Sequence, residues 1–342
     1  MTTLKCTLCS LSGTGARAGL RTSTGSATFG RAVWPRRNCP VPANRIDETL
    51  TKEVSVRYLI TGASGMLGTD LQKALAGRDV TALGRTELDV TDIDAVRAAV
   101  AGNDVVINAA AYTKVDDAES HEDDAFAVNA TGAKNLAGAA REAGARLVQV
   151  STDYVFRGDA SAPYTEDSPR DPISAYGRTK AAGEVAALAE HPDGTYIVRT
   201  AWLYGEHGPN FAATMLRLAA THPTVSVVTD QLGQPTWTAD LASQIVSLVD
   251  AEAPAGIYHG TNGGEASWFD FTRAIFEEVG LDPDRVKPTD SSAFVRPAPR
   301  PAYSVLGHDA WRTAGLAPMR HWRQALADAV ATGAVTPPAT AE

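Results

Sequence analysis

Three glycines between a predicted strand and a predicted helix constrain the fold of this chain more than any other feature. They directly follow the β-prone apolar run at 56–60, and apolar residues recur after them at helical spacing. Glycine permits a tight turn and close backbone approach, and the helix N-terminus then offers free N–H groups to a pyrophosphate. The spacing predicts the phosphate-binding turn of a βαβ unit, with cofactor contacts at Gly62, Gly65, Met66, Leu67 and Gly68.

Strand and helix patterns alternate from this turn to residue 200. Further strands are predicted at 79–83, 104–108, 146–150 and 196–199, and further helices at 92–101, 120–143 and 174–190. Such alternation implies right-handed βαβ crossovers and a parallel sheet covered by helices on both faces. We therefore expect an α/β fold, a Rossmann-type doubly wound parallel sheet with a smaller, mixed C-terminal substrate lobe. Ligands of such sheets bind beyond the carboxyl ends of the strands.

Pattern and composition divide the chain into four parts. Residues 1–53 carry all three cysteines and eight Lys or Arg against three Asp or Glu, so we expect a disordered or non-native N-terminal extension. Cys6 and Cys9 lack a second ligand pair at metal-site spacing. Residues 54–200 are expected to form the dinucleotide-binding Rossmann domain. Residues 201–335 are expected to form mostly the substrate-binding lobe, with some segments returning to the Rossmann domain, and 336–342 a tail.

The composition excludes several classes of protein. Hydrophobic residues make up 44% of the 342, which is ample for a core, and no run of 18 apolar residues exists to span a membrane. A net charge of −9 without a long basic stripe argues against nucleic acid as the main partner. Three cysteines cannot form a disulfide scaffold. We therefore expect a cytoplasmic protein with neither a nucleic-acid nor a membrane partner.

The end of the second strand indicates which dinucleotide binds. NAD-binding proteins usually place an acidic residue there to bind the ribose 2′-hydroxyl, whereas this chain has Gly84-Arg85-Thr86. Arginine suits a bidentate contact with a 2′-phosphate, which favours NADPH over NADH; Arg85 as an ordinary solvated loop residue is the alternative. Further cofactor contacts are predicted at Asp89, Val90, Ala110, Ala111 and Tyr112.

Tyr176 and Lys180 stand four residues apart on a predicted helix, so both project from one face. An ammonium one turn away favours a phenolate and is expected to lower the pKa of the phenol. The hydroxyl of Thr152, at the end of the preceding strand, is suited to hold a carbonyl oxygen against that phenol. Such a trio can protonate an alkoxide as it forms from a ketone. A chance Tyr-Lys pair on a helix surface is the alternative.

Taken in order, these motifs resemble an extended short-chain dehydrogenase/reductase. More narrowly, the chain is similar to the dTDP-4-dehydrorhamnose reductases over roughly residues 56–330. The strings that carry the resemblance include Asn108-Ala-Ala-Ala-Tyr-Thr-Lys-Val-Asp, Ser151-Thr-Asp-Tyr-Val-Phe, Tyr176-Gly-Arg-Thr-Lys and Arg199-Thr-Ala-Trp-Leu-Tyr-Gly. Later matching strings are Asn210-Phe-Ala-Ala-Thr-Met-Leu, Asp230-Gln-Leu-Gly-Gln-Pro-Thr and Arg300-Pro-Ala-Tyr-Ser-Val-Leu.

The resemblance implies a role for each matching residue. Tyr176 would donate the proton, Lys180 would bind the cofactor ribose, and Thr152 would orient the carbonyl. Asn129 would support the lysine through water. Contacts with the nucleotide sugar are implied for Thr152, Asp153, Tyr154, Trp202, Asn210, Gln231 and Arg300.

The implied reaction is NADPH-dependent reduction of the C4 ketone of dTDP-4-dehydro-L-rhamnose to dTDP-L-rhamnose. Related dehydratases carry an Asp-Glu pair whose Glu removes a C5 proton; Asp153-Tyr154 stands here, so dehydration lacks its base. One alternative is a different dTDP-4-keto-6-deoxyhexose, as in dihydrostreptose formation. Another is a non-catalytic regulatory subunit resembling that of methionine adenosyltransferase. Some relatives use magnesium at a dimer contact, so magnesium and a homodimer stay open, and no metal ligand is assigned.

Overall fold

The computed structural model describes residues 55–337. The predicted extension at 1–53 lies outside this range, as does most of the predicted tail. Within residues 55–337, no helix combines the length and the apolar composition that crossing a membrane requires.

Twelve strands and ten α-helices form this part of the chain. The strands are β1 (Arg57–Thr61), β2 (Asp79–Leu83), β3 (Val105–Asn108), β4 (Arg146–Thr152), β5 (Thr195–Thr200), β6 (Leu203–Tyr204), β7 (Val225–Val228), β8 (Leu232–Gly233), β9 (Thr236–Trp237), β10 (Gly256–His259), β11 (Ala266–Ser267) and β12 (Val286–Thr289). The helices are α1 (Met66–Ala74), α2 (Ile93–Val100), α3 (Glu122–Phe126), α4 (Gly132–Ala143), α5 (Ala175–Glu190), α6 (Phe211–Thr221), α7 (Thr238–Asp250), α8 (Trp268–Glu278), α9 (Asp309–Thr313) and α10 (Trp322–Ala331).

The central sheet has six parallel strands in the order β2-β1-β3-β4-β5-β10. Alternate residues along each strand enter two cores. Tyr58 and Ile60 of β1 pack with Leu71 of α1 and Ile245 of α7, while Leu59 packs with α2, α4 and α5 on the other side. Burying one such side chain contributes about 1.5–3 kcal/mol relative to leaving it exposed. Helices on both faces of a parallel sheet confirm the predicted doubly wound fold.

Segments after residue 200 are shared between this sheet and a second group of elements. β10 pairs with β5 at the edge of the sheet, and α7 packs on α1. α6, α8 and α10 form a separate core around Phe271 and Trp322. β7 and β12 pair in parallel beside α8. The division at residue 200 stays a prediction.

The predicted helix at 120–143 forms with one irregularity. α3, a π-helical turn at Ala127–Thr131 and α4 follow one another without a break. Such π turns often occur at functional sites, and Asn129 lies inside this one. Gly144 ends α4 in the left-handed conformation with φ of +70°.

Candidate active site

The glycine turn forms a tight cradle at the start of α1. Gly62 has a φ of +69°, and a Cβ there would lie 2.6 Å from the backbone nitrogen of Ala110. A Cβ on Gly68 would lie 2.3 Å from the carbonyl oxygen of Gly62. Gly65 is the N-cap of α1, and within residues 55–337 no side chain caps this helix end. The first-turn N–H groups, which include those of Met66 and Leu67, are therefore available, and the cradle fits a dinucleotide pyrophosphate.

A buried polar line joins the strand ends beside this cradle. Thr61 Oγ1 donates to Asn108 Oδ1 at 2.6 Å, and Asn108 Nδ2 donates to Gln149 Oε1 at 2.7 Å. Asn108 Oδ1 also accepts from the backbone N–H of Ala110 at 3.1 Å. The line holds β1, β3 and β4 in register and orients the loop after β3. We did not select Gln149 from sequence, although a glutamine within an apolar strand was a usable signal.

The predicted cofactor contacts at Arg85, Asp89 and Val90 follow β2. Arg85 is exposed, and Asp89 accepts hydrogen bonds from the N–H and hydroxyl of Thr91, which lower its pKa. Val90 is buried, and its side chain leaves no room for a Cβ on Gly132 of α4. The side chain of Val90 therefore contributes to the core, and contacts of these residues with a cofactor stay predictions.

Asn129 connects the loop after β3 to the helix that bears the candidate catalytic pair. Its Oδ1 accepts from the Tyr112 N–H at 2.9 Å, and its Nδ2 donates to the Tyr112 carbonyl at 3.2 Å and to Thr179 Oγ1 at 3.0 Å. The water-mediated support of Lys180 that the resemblance implies for Asn129 stays a prediction. The Tyr112 hydroxyl donates to Asp117, and this bond raises the pKa of Tyr112 to about 12.

Tyr176 and Lys180 lie in the first turns of α5, which begins where Ser174 Oγ accepts from the Gly177 N–H at 3.1 Å. Lys180 Nζ donates to the Val150 carbonyl at 2.7 Å, and burial lowers the pKa of Lys180 to about 8. Burial raises the pKa of Tyr176; the nearby Thr152 hydroxyl opposes the rise, and the charge of Asp153 adds to it. This direction is opposite to the one expected from Lys180, because the phenol is buried.

Thr152 and its two successors complete the catalytic region. Thr152 Oγ1 donates to Asp153 Oδ1 at 2.9 Å and accepts from the Tyr154 N–H at 3.2 Å. The Asp153 carboxyl is buried, which raises its pKa to about 6. The Tyr154 ring meets the Tyr176 ring edge-on, with centroids 5.6 Å apart. The structure thus brings Thr152, Asp153, Tyr154 and Tyr176 together at the carboxyl end of β4.

Trp202 and Gln231 both contact Trp268, a residue that we did not select from sequence. Trp202 has an unusual φ of +47°, and its ring stacks on Trp268 with centroids 3.5 Å apart. Trp268 Nε1 donates to Gln231 Oε1 at 3.2 Å, and Gln231 Nε2 donates to Ser291 Oγ at 2.9 Å. A Cβ on Gly233 would lie 2.5 Å from the Trp202 ring, so glycine is needed beside it.

The remaining two predicted substrate contacts have protein partners in this structure. Arg300 Nη2 donates to Asp116 Oδ1 at 2.9 Å, and Asp116 was not selected from sequence as a site residue. Arg300 also lies close enough to Tyr154 to lower the pKa of that phenol, against the larger effect of burial, which raises it. Asn210 caps α6, accepting from the Ala213 N–H at 3.0 Å. Substrate contacts of Arg300 and Asn210 stay predictions.

A buried ion pair lies under the catalytic helix. Glu184, one turn after Lys180 on α5, accepts from Arg199 Nε at 2.9 Å and from Arg199 Nη2 at 2.8 Å. Arg170 Nε adds a third bond to Glu184 at 2.6 Å.

Among the described residues, no group of three or more His, Cys, Asp or Glu is placed to hold a metal ion.

Comparison with known proteins extends the resemblance over the whole described region. Residues 56–335 match the family model described as RmlD substrate binding domain. A dTDP-4-dehydrorhamnose reductase of Streptomyces griseus is 55% identical over 280 residues, covering 80% of this chain and 92% of that protein. A dTDP-4-keto-6-deoxy-D-glucose reductase of Streptomyces niveus is 52% identical over 277 residues, covering 80% and 96%.

Solved structures agree with these sequence matches. The Bacillus anthracis dTDP-4-dehydrorhamnose reductase in complex with NADP has a TM-score of 0.77 to this structure at 39% identity, covering 81% of this chain and 99% of that chain. Sequence and fold therefore match the same group of oxidoreductases, from β1 to α10. This chain belongs to the dTDP-4-dehydrorhamnose reductase family.

Proposed function

We propose that this protein reduces the C4 ketone of dTDP-4-dehydro-L-rhamnose with NADPH and forms dTDP-L-rhamnose. One observation carries the proposal: the Tyr176 ring packs on Tyr154 beside Thr152 at the carboxyl end of β4, and Lys180 bonds to that strand, in a chain 55% identical to a dTDP-4-dehydrorhamnose reductase. Parallel sheets bind their ligands at this end. Fold alone does not decide function, so the proposal depends on these side chains.

The cofactor proposal is NADPH. The Bacillus anthracis relative was solved with NADP, and the glycine cradle of this chain fits a pyrophosphate. Exposed Arg85, after β2, is suited to a 2′-phosphate, and NADH is the alternative cofactor. The bound nicotinamide would supply a hydride to the C4 carbon of the sugar.

Side chains of the protein protonate and position the C4 oxygen. As negative charge develops on the C4 oxygen, the Tyr176 hydroxyl donates its proton to it. The Tyr176 phenol is protonated at neutral pH, and burial raises its pKa further above its ordinary value. Lys180, fixed by the Val150 carbonyl, is placed to bind the cofactor ribose. Thr152 holds the ketone oxygen close to the phenol.

Residues after position 200 provide most of the proposed substrate contacts. Trp202 and Gln231 offer an aromatic surface and an amide to the nucleotide, and Arg300 offers a guanidinium to the diphosphate. Asn210 is a further proposed contact. Tyr154 in place of a glutamate supports reduction rather than dehydration, since it has no carboxylate to remove a C5 proton.

A second candidate is reduction of another dTDP-4-keto-6-deoxyhexose, as in dihydrostreptose formation. It is favoured by the 52% identity to the Streptomyces niveus dTDP-4-keto-6-deoxy-D-glucose reductase. The regulatory-subunit alternative is less well supported, because this chain keeps the three side chains that catalysis needs.

The test is a panel of dTDP-4-keto-6-deoxy sugars, each offered with NADPH and with NADH. We expect NADPH oxidation with dTDP-4-dehydro-L-rhamnose and a product whose C4 configuration, determined by NMR, is that of L-rhamnose. Turnover of another sugar alone would select the second candidate. Binding without turnover of any sugar would refute reductase activity.

Three further points remain proposals. We propose a homodimer, to be tested by light scattering, and a cytoplasmic location, where the nucleotide-linked reductant and substrate are found. Turnover with and without a chelator tests for magnesium dependence.

A further inference from the structure

Thr152 has one hydrogen to donate, and in this structure Asp153 receives it. Thr152 Oγ1 donates to Asp153 Oδ1 at 2.9 Å and accepts from the Tyr154 N–H at 3.2 Å. A hydroxyl group carries one donor and two acceptor positions. Thr152 can therefore donate to a ketone oxygen only after its hydrogen turns away from Asp153.

Neutral groups surround the Asp153 carboxyl. Thr152 and Tyr154 face it from its own segment, Tyr176 faces it from α5, and Ser304 faces it from the chain before α9. Its side chain is 2% exposed. Removal from water penalises the carboxylate, and a substrate that covers the site removes more water. Thr152, Ser304 and the N–H groups of Asp153 and Tyr154 favour the carboxylate, but burial outweighs them and raises the pKa of Asp153 to about 6.

We propose that Asp153 is a positioning residue that determines where the Thr152 hydroxyl donates its hydrogen. As a carboxylate, Asp153 accepts this hydrogen. As a carboxylic acid, it donates its own hydrogen to Thr152 Oγ1, and the Thr152 hydrogen turns to the ketone oxygen. The proton stays on Asp153 during the reaction. This inference rests on the proposed ketone reduction.

The first test is the pH profile of kcat/KM in wild type and Asp153→Asn. The protonated form is the productive one, so wild-type kcat/KM should be highest below the pKa of Asp153, about 6 in the free enzyme. Above it, kcat/KM should fall by up to about tenfold per pH unit. Asp153→Asn should lack this fall, because its amide N–H₂ donates to Thr152 at every pH. A fall retained in Asp153→Asn would overturn the proposal.

Two controls separate Asp153 from other groups. Asp171→Asn removes an exposed carboxylate that pairs with Arg157, and it should keep the wild-type profile. The profile is also recorded with NADH, since a phosphate monoester such as the 2′-phosphate of NADPH titrates near pH 6. If kcat/KM falls with NADPH but not with NADH, the fall arises from the cofactor phosphate, and this result would contradict the role of Asp153.

The second test needs no turnover. The C=O stretch of protonated Asp153 is followed by infrared spectroscopy against pH and assigned by its loss in Asp153→Asn. Thr152→Val removes the donor to the carboxylate and should move the midpoint to higher pH, whereas Thr152→Ser should keep it near the wild-type value. An unchanged midpoint in Thr152→Val would refute the hydrogen-bond switch. If wild type reduces no sugar, the proposed function fails, while this titration still decides whether the switch exists.

Discussion

Burial shifts the pKa values of single residues in this site. It raises the pKa of Tyr176 and lowers the pKa of Lys180 to about 8, since a low-dielectric environment disfavours both charged forms. The ligand-free site thus holds a neutral phenol, the form that a proton donor needs. The prediction from sequence considered the effect of the Lys180 charge on the pKa of Tyr176 but not the effect of burial. Nor does the sequence reveal that the ammonium bonds to the Val150 carbonyl.

Tyr176→Phe tests the proton donor. The change removes the hydroxyl and keeps the ring, so turnover should fall by about 10²–10⁴-fold, while affinity for NADPH stays near the wild-type value. Stopped-flow NADPH oxidation and a fluorescence titration measure the two quantities. Tyr154→Phe, at the ring packed against Tyr176, is the matched control and should lose less activity. Equal turnover of Tyr176→Phe and wild type would contradict the assignment.

Lys180→Met tests the cost of burying an ammonium. The pKa of Lys180 is lowered from 10.5 to about 8, so between these pH values the unfolded chain binds more protons than the folded one. The free energy of unfolding of wild type, relative to Lys180→Met, should therefore rise over this window, on the order of 2 kcal/mol. Denaturant unfolding at pH 7 and pH 10 measures the difference. Wild type should show no such rise relative to Lys73→Met, because the pKa of Lys73 is raised. A constant or falling difference for Lys180→Met would contradict the prediction.

At the scale of elements, α5 approaches the π turn more closely than ordinary helices allow. A Cβ on Gly183 would lie 2.1 Å from the carbonyl oxygen of Asn129. This contact places the helix of Tyr176 and Lys180 against the loop after β3, since Asn129 bonds to Tyr112 of that loop. The sequence predicts both helices, at 120–143 from its apolar spacing and at 174–190. It does not predict the π turn, because that turn depends on how the two helices pack.

Gly183→Ala tests this approach. The added methyl group meets backbone, so the two helices must separate, and we expect a loss of about 1–3 kcal/mol in the free energy of unfolding together with reduced kcat. Gly138→Ala in α4 is the matched control, since its nearest atom, on the flexible Glu190 side chain, lies 3.9 Å away. That variant should gain up to about 1 kcal/mol from helix propensity. Chemical denaturation and steady-state kinetics of both variants measure the two effects. Equal losses in Gly183→Ala and Gly138→Ala would contradict the close approach of α5 to the π turn.

At the scale of the whole molecule, sequence was most informative up to residue 200. The strand at 79–83 forms as predicted, and the motif residues meet where a parallel sheet brings its carboxyl ends together. Beyond residue 200 the signals are weaker, because short strands such as β8 form by pairing with distant segments. Trp268 illustrates this limit. It binds Trp202 and Gln231 from far along the chain, and only the fold reveals that proximity.

The Arg199–Glu184 pair joins several parts of the molecule at one buried point. Arg199, at the end of β5, bonds to Glu184 on α5 and donates to the Glu166 carbonyl at 3.2 Å. It also lies beside His259 of β10, and burial lowers the pKa of that imidazole to about 3. Burial alone would raise the pKa of Glu184, but the hydrogen bonds and charge of Arg199 outweigh it and lower the pKa. The contribution of this carboxylate is therefore present above its unfolded pKa and lost as pH falls through its folded value.

Glu184→Leu should cost about 3–5 kcal/mol of unfolding free energy, because it leaves the Arg199 guanidinium buried without its carboxylate. Adding Arg199→Met removes that stranded charge, so the double variant should lose less than the sum of the two single losses. Glu122→Leu removes the exposed partner of Arg178 and should cost at most about 1 kcal/mol. Urea unfolding at pH 7 measures all four variants. Additive losses at Glu184 and Arg199 would mean that the two side chains act independently, and that their pairing does not help to hold α5 on the sheet.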